Sequence, residues 1–242
     1  MTKSRKVDIL AIGVHPDDVE LGAGATILKQ IDLGYKVAIV DLTKGELGTR
    51  GSAALRMKEA KKAMKYAGVS FRENLSMADG FFENNKANKM KIIKAIRKYQ
   101  PDIVLANALR DRHPDHGRAS LLIRESCFLA GLVKVKTKVG NKNQAKWRPR
   151  KVFCYIQDHD IAPDVVIDVT GYMDRKIEFV QCYGSQFFSP DSKAPQTPIS
   201  TQAFLDNLKG RAQSFGRRIG AEYGEGFTCE EYIGIGDLTQ IL

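Results

Sequence analysis

The sequence predicts an α/β fold built on a doubly wound, mostly parallel sheet, with strand order 3-2-1-4-5 and later strands added at the edge. Three observations carry that expectation. Short apolar runs alternate with segments of helical spacing from Val7 to Asn107, the pattern of strands joined by helical crossovers. The tripeptide His-Pro-Asp follows an apolar run twice, at His15 and at His113. Right-handed crossovers then set the first and fourth strands side by side, so both tripeptides meet at the switch point where open sheets bind ligands. The arrangement is Rossmann-like, and 242 residues are enough to close it as one domain, 1–242, around a sizeable core.

The first apolar run, Val7, Ile9, Leu10, Ile12 and Val14, is nearly continuous, as in a strand buried on both faces. His15-Pro16-Asp17-Asp18 ends it, because Pro16 keeps His15 extended while Asp17 and Asp18 open a helix. Leu21–Leu33 reads as that helix, closed by Gly34, with Gly22 and Gly24 permitting close backbone approach. Lys36–Thr43 is the second strand. The glycine-rich loop Lys44–Gly51 lacks the spacing and the Lys-Ser/Thr ending of a nucleotide-phosphate cradle. Ser52–Ala67 is an amphipathic helix ended by Gly68, Val69–Leu75 is the third strand, and Asn84–Tyr99 is a basic helix stopped by Pro101. Asp102–Asn107 is the fourth strand and leads into His113-Pro114-Asp115-His116.

Beyond the second motif the pattern gives a helix over Asp115–Leu132 and an exposed strand over Val133–Val139, where Val alternates with Lys. Two more strands follow at Lys151–Ile156 and Asp164–Asp168, then a helix from Gly171 to Tyr183. Ser189–Pro198 is a proline-rich loop. Ser200 caps a last helix whose Phe204, Leu208, Ala212, Phe215 and Ile219 share one face, read as core packing.

Hydrophobic residues make up 43% and charged residues 27%, ordinary for a globular chain, with no run long enough to span a membrane. The basic start and apolar run at the N-terminus are interrupted by His-Pro-Asp-Asp, which argues against a signal peptide. Cys127, Cys154, Cys182 and Cys229 are widely spaced, as expected of reduced thiols in a cytoplasmic chain. A net charge of +10 raises a basic nucleic-acid-binding protein as the rival class. Eight of those basic residues, with no acidic one, lie between Val133 and Lys151. The remainder is near neutral, so the stripe that a phosphate backbone requires is not expected.

Three of the four histidines fall in His15-Pro16-Asp17-Asp18 and His113-Pro114-Asp115-His116. One copy alone is a helix-capping turn; two at equivalent strand ends make a bipartite metal site. His15, Asp18 and His116 form a two-histidine, one-carboxylate set suited to catalytic zinc with an open fourth position. His15 and Asp18, at i and i+3 across the turn, converge on one point, leaving Asp17 free as a general base. His113 is placed to face a reacting carbonyl, and Asp115 either orients it or complements the helix N-terminus. Two-metal phosphoester chemistry would need more aspartates at strand ends.

The stretches HPDDVELGAG and RDRHPDHGRA resemble those of the PIG-L/LmbE-like zinc N-deacetylases over nearly the whole chain. GELGTRGS with Arg56, YGSQF, TPIS and YGEGF are similar to the bacillithiol-pathway branch, the N-acetyl-glucosaminyl malate deacetylases. The resemblance implies one Zn2+ per chain, with other divalent metals accepted, and hydrolysis of the acetamide of N-acetyl-glucosaminyl L-malate. Another N-acetylglucosamine conjugate or a chito-oligosaccharide is the alternative substrate. It also implies His15, Asp18 and His116 as ligands, Asp17 as base, and His113 with Asp115 as the oxyanion-stabilising pair. Arg56 would hold an anionic aglycone, with Arg112 and Gln157 as further substrate contacts. Some relatives place a tyrosine near the metal; Asp111 and Phe204 stand at those places here, leaving His113 and zinc to carry the charge. The implied partner is a small anionic N-acetylglucosamine conjugate, with no nucleic acid or membrane, in a cytoplasmic enzyme open to homo-oligomeric assembly. The basic segment 133–151 reads either as a flap favouring anions or as a solvated surface strand.

Overall fold

A computed structural model describes residues 5–240. Its elements run β1 (Ile9–Gly13), α1 (Asp18–Asp32), β2 (Val37–Asp41), α2 (Ala53–Ala67), β3 (Phe71–Asn74), α3 (Lys86–Tyr99), β4 (Ile103–Ala106) and α4 (Pro114–Ala130). They continue with β5 (Lys138–Val139), β6 (Lys142–Asn143), β7 (Lys151–Tyr155), β8 (Val165–Asp168), α5 (Met173–Gln181), α6 (Gln202–Arg218) and β9 (Gly224–Thr228). The main sheet has the order β3-β2-β1-β4-β7-β9-β8, so the expected 3-2-1-4 core is present and parallel.

The continuous apolar runs divide by alternation. Leu10, Ile12, Val14, Ala38, Val40 and Leu42 pack with α3 and α4 on one side of the sheet. Ile9, Ala11, Val37 and Ile39 pack with α1, α2 and α5 on the other. Each large apolar side chain so buried contributes roughly 1.5–3 kcal/mol, which is what holds β1 in the middle of the domain. Ile9 lies opposite Ile103 and Ala11 opposite Leu105, so the chain leaves β1 and β4 at the same end of the sheet.

The apolar pattern does not predict β9. Gly-Glu-Gly-Phe-Thr has neither an apolar run nor alternation, yet it inserts between β7 and β8 and runs antiparallel to both. Its Glu225 explains a break in α1, where Ala23 leaves helical geometry at φ −139°, ψ 17°. The amides of Ala25 and Thr26 donate to Glu225 Oε1 and Oε2 at 3.1 and 2.7 Å. Lys176 Nζ neutralises that buried carboxylate at 2.6 Å. Glu225 therefore caps the second part of α1, and the first turn, which carries Asp18, becomes a separate unit. Gly22 belongs to that turn because a Cβ there would lie 2.2 Å from the Tyr155 ring.

The basic segment departs from expectation. Within Val133–Val139 only Lys138–Val139 is strand, pairing with Lys142–Asn143 in a small hairpin. Val135 is partly buried against the α3–α4 core, while its flanking lysines are exposed, which reproduces strand-like alternation without a strand. Arg97 of α3 holds the segment through the carbonyls of Leu132 and Val135, at 2.9 and 2.7 Å, and the Thr137 hydroxyl, at 2.9 Å. At the last helix, Thr201 rather than Ser200 is the cap, its hydroxyl accepting from the Phe204 amide at 3.1 Å. Ile219 lies just beyond the helix end rather than on its buried face. All four cysteines are free thiols. Among the described residues no helix is long and apolar enough to cross a membrane.

Candidate active site

The turn after β1 is strained at the residue expected to open the helix. Asp17 stays outside α1 at φ 132°, ψ −23°, a conformation costing about 1–3 kcal/mol for a side chain other than glycine. Arg56 holds it there, with Nη2 donating to Asp17 Oδ2 at 2.5 Å and to the Pro16 carbonyl at 3.1 Å. Gly45 makes room for the guanidinium, since at φ 63° it has no Cβ to lie 2.1 Å from Arg56 Nη1. Burial raises the Asp17 pKa to about 6 against the pull of Arg56.

Asp18 folds back under the turn. Its Oδ2 accepts from the Val14 and His15 amides at 2.9 and 3.0 Å and from Asn107 Nδ2 at 3.0 Å. Gln157 Nε2 donates to Oδ1 at 3.3 Å. Burial works against its charge, but His116 and His15 hold its pKa well below the usual carboxylate range.

The ligand atoms of His15, Asp18 and His116 all lie within 4.8 Å of one another. His15 Nδ1 is 3.6 Å from Asp18 Oδ2, and His116 Nε2 is 3.2 Å from Asp18 Oδ1. The other nitrogen of each ring is held by a carboxylate: His15 Nε2 by Asp79 at 2.9 Å and His116 Nδ1 by Asp111 at 2.5 Å. Backbone amides fix those carboxylates in turn, Leu47 on Asp79 and both Asp158 and His159 on Asp111, each at 2.9 Å. Metal-ligating imidazoles are supported in this way. Burial lowers the pKa of both rings, but Asp18 with Asp79 raises His15 to about 10, and Asp18 with Asp111 raises His116 to about 9. A surplus of carboxylates around two buried imidazoles fits a divalent cation, whose charge would take the place of the ring protons.

His15, His113 and Asp115 form a second cluster of ligand atoms. The Asp115 oxygens are already engaged, with the Gly80 amide at 2.8 Å and Arg118 Nη1 at 2.8 Å. In the first set both imidazoles have a carboxylate behind them, and that set is the candidate metal site. His113 caps α4, its Nδ1 accepting the Asp115 amide at 3.3 Å. That bond assigns the ring proton to Nε2. Burial, with the charges of His15 and His116, lowers the His113 pKa. Asp115 thus orients His113 through its backbone rather than through its carboxylate.

A cavity of about 290 Å³ opens over these groups and is lined by His15, Asp17, Asp18, Arg56, His113 and His116 among others. Arg112 reaches its rim paired with Asp158 at 2.6 Å. Gln157 also lines it, but its amide is spent on Asp18 and on Asn107, at 3.3 and 3.0 Å, as scaffold. Arg56, expected to hold an anionic aglycone, is bonded to Asp17. The α6 face read as core packing does pack, with Leu208, Ala212 and Phe215 buried, and at Phe204 and Leu208 it also supplies cavity wall beside Asn207 and Arg211. No residue of 133–151 lines the cavity, so the segment read as a flap lies off the site. Sequence reasoning gave no site role to Asp79, Asn107 or Arg211. Only Asp111 carried a local signal, standing inside RDRHPD itself.

Residues 10–127 match the family described as PIG-L, GlcNAc-PI de-N-acetylase. The crystal structure of the conserved protein TT1542 from Thermus thermophilus superposes with a TM-score of 0.84 at 30% identity, covering 95% of this chain and 98% of that one. The chain belongs to the PIG-L deacetylase family. Membership makes it a hydrolytic N-deacetylase. Two further PIG-L relatives bear on substrate. Diacetylchitobiose deacetylase of Thermococcus kodakarensis is 28% identical, over 90% of this chain and 81% of its own length. The probable N-acetyl-alpha-D-glucosaminyl L-malate deacetylase 2 of Bacillus anthracis is 26% identical, over 74% of this chain and 81% of its own.

Proposed function

We propose that this PIG-L deacetylase removes the acetyl group from an N-acetylglucosaminyl substrate with an anionic aglycone, N-acetyl-glucosaminyl L-malate first among them. One zinc ion would be held by His15, Asp18 and His116. The observation that carries the reading is the convergence of two carboxylate-braced imidazoles with Asp18, beside an Arg56-held Asp17, in one cavity. Support for the sugar comes from the relatives, whose substrates, diacetylchitobiose and N-acetylglucosaminyl malate, share the N-acetylglucosamine unit.

When bound, the ion supplies Lewis acidity toward the acyl oxygen and toward water. Asp17 removes the proton from the attacking water, a task suited to a carboxylate whose basicity burial has raised toward neutrality. Arg56 keeps that carboxylate aimed, and Gly45 keeps Arg56 in place. His113 donates Nε2–H to the acetamide oxygen as negative charge develops on it. Protonated Asp17 is then the acid available to the departing amine, and acetate and the glucosaminyl product leave.

The test is acetate release from N-acetylglucosaminyl malate, with N-acetylglucosamine in parallel, using zinc-loaded protein, its chelated form and Asp17→Ala. Turnover of the malate glycoside that disappears on chelation and in Asp17→Ala is the expected result. Turnover of N-acetylglucosamine alone would remove the malate assignment. No acetate from either, with metal bound, would overturn the deacetylation of N-acetylglucosaminyl substrates.

A further inference from the structure

We propose that Arg211 is the receptor for the carboxylate of the substrate's aglycone; the assignment rests on the deacetylase reading above and names the side chain that sets its preference for anions. Four arginines line the cavity: Arg50, Arg56, Arg112 and Arg211. Three are committed elsewhere. Arg56 is bonded to Asp17 and Arg112 to Asp158, at 2.5 and 2.6 Å. Arg50 spends both terminal nitrogens on the Gln186 and Phe187 carbonyls, at 3.3 and 3.5 Å, and on the Ser192 hydroxyl, at 2.5 Å. It pins the wall formed by that segment.

Arg211 differs from these. Its one hydrogen bond among the described residues goes to the Gln157 carbonyl, and it makes no ion pair among them. The guanidinium carries five donors and stays charged at any working pH, so most of its donors remain for a ligand. The carboxylates of Glu225, Asp158, Asp111 and Asp160 act on that charge without pairing with it, so part of the desolvation cost remains, and an incoming carboxylate offsets it with two parallel hydrogen bonds. A neutral aglycone leaves it in place.

Position supports the same role. Phe204, Asn207, Leu208 and Arg211 stand at i, i+3, i+4 and i+7 of α6, one helix face turned to the cavity. The carbonyl of Gln157 anchors Arg211, while the amide of the same residue donates to the ligand Asp18 at 3.3 Å. A carboxylate seated on Arg211 is therefore held at a set place relative to the reacting acetamide, which a flexible surface lysine would not provide.

The experiment compares kcat/KM for N-acetylglucosaminyl malate and for its neutral dimethyl ester, in zinc-loaded wild type, Arg211→Gln and Arg211→Lys. Loss of a bidentate charged hydrogen bond predicts that the diacid-to-ester ratio falls on the order of 30-fold in Arg211→Gln, mostly through KM. Arg211→Lys should recover part of the ratio. An equal fall for both substrates, or an unchanged ratio, overturns the assignment. Calorimetric binding of the product glucosaminyl malate against methyl glucosaminide reads the same site without turnover and is expected to lose the same selectivity in Arg211→Gln. If wild type releases no acetate but binds glucosaminyl malate selectively through Arg211, the chemistry is wrong and the receptor stands. If Arg211→Gln fails to fold, Arg211→Lys and wild-type selectivity decide: no preference for the diacid in wild type overturns the proposal.

Discussion

The two His-Pro-Asp copies share a tripeptide and leave neighbouring strands at the same end of the sheet, yet they fold differently. In the second, Pro114 opens α4 and the His113 ring caps it by accepting the Asp115 amide. In the first, no side chain caps α1 and Asp17 is driven to φ 132°. The surroundings account for the split. Arg56, admitted by Gly45, takes the carboxylate of Asp17, whereas the Gly80 amide and Arg118 take that of Asp115. A short motif thus supplies donor atoms, and the side chains packed against it assign their roles.

The sharpest break of that comparison lies at the fourth positions, where the copies should behave alike. Asp18→Ala and His116→Ala are each expected to reduce bound zinc to background after dialysis and to abolish acetate release with it. Retention of stoichiometric metal in either variant would mean that the ion sits elsewhere.

At the third positions the copies should diverge. Asp17→Asn is expected to lower kcat by about 10²–10⁴ with metal content unchanged, while Asp115→Asn, whose carboxylate braces rather than reacts, should cost roughly tenfold. Equal losses would erase the distinction drawn between them. A finer contrast comes from the two carboxylates behind the ligands. Asp79→Asn and Asp111→Asn should each weaken zinc affinity by about 10–100-fold, measured by competition with a chelator, and excess zinc should restore most of the rate. The smallest effect is expected at Arg118→Met, which leaves one Asp115 oxygen short of a donor and should lower unfolding stability by about 1–2 kcal/mol in a urea melt.

Much of the site was legible. The convergence of His15, Asp18 and His116 could be read because the candidate donors sit in two short motifs, and because crossover handedness makes the first and fourth strands neighbours whatever the details of packing. The carboxylate of Asp115 meets the Gly80 amide and Arg118, partners that its own motif does not announce. Val133–Val139 misled because one half-buried valine among solvated lysines imitates the period of a strand. The α6 stripe packs as its spacing implies, but apolar spacing could not show that the same face also borders the cavity at Phe204 and Leu208.

Patterns a few residues long, joined by a general rule of chain handedness, were enough to specify the 3-2-1-4 sheet, the meeting of the two motifs and the donor atoms of a candidate cation site. Folding in three dimensions added the rest: Asp79 and Asp111 brace the imidazoles, Glu225 caps a break in a helix 199 residues away at Thr26, and Arg211 lines the cavity with one hydrogen bond, to the Gln157 carbonyl, among the described residues. Those roles depend on which polar groups packing leaves without water, and a buried donor or acceptor takes whatever partner the fold brings within reach, however distant in the chain.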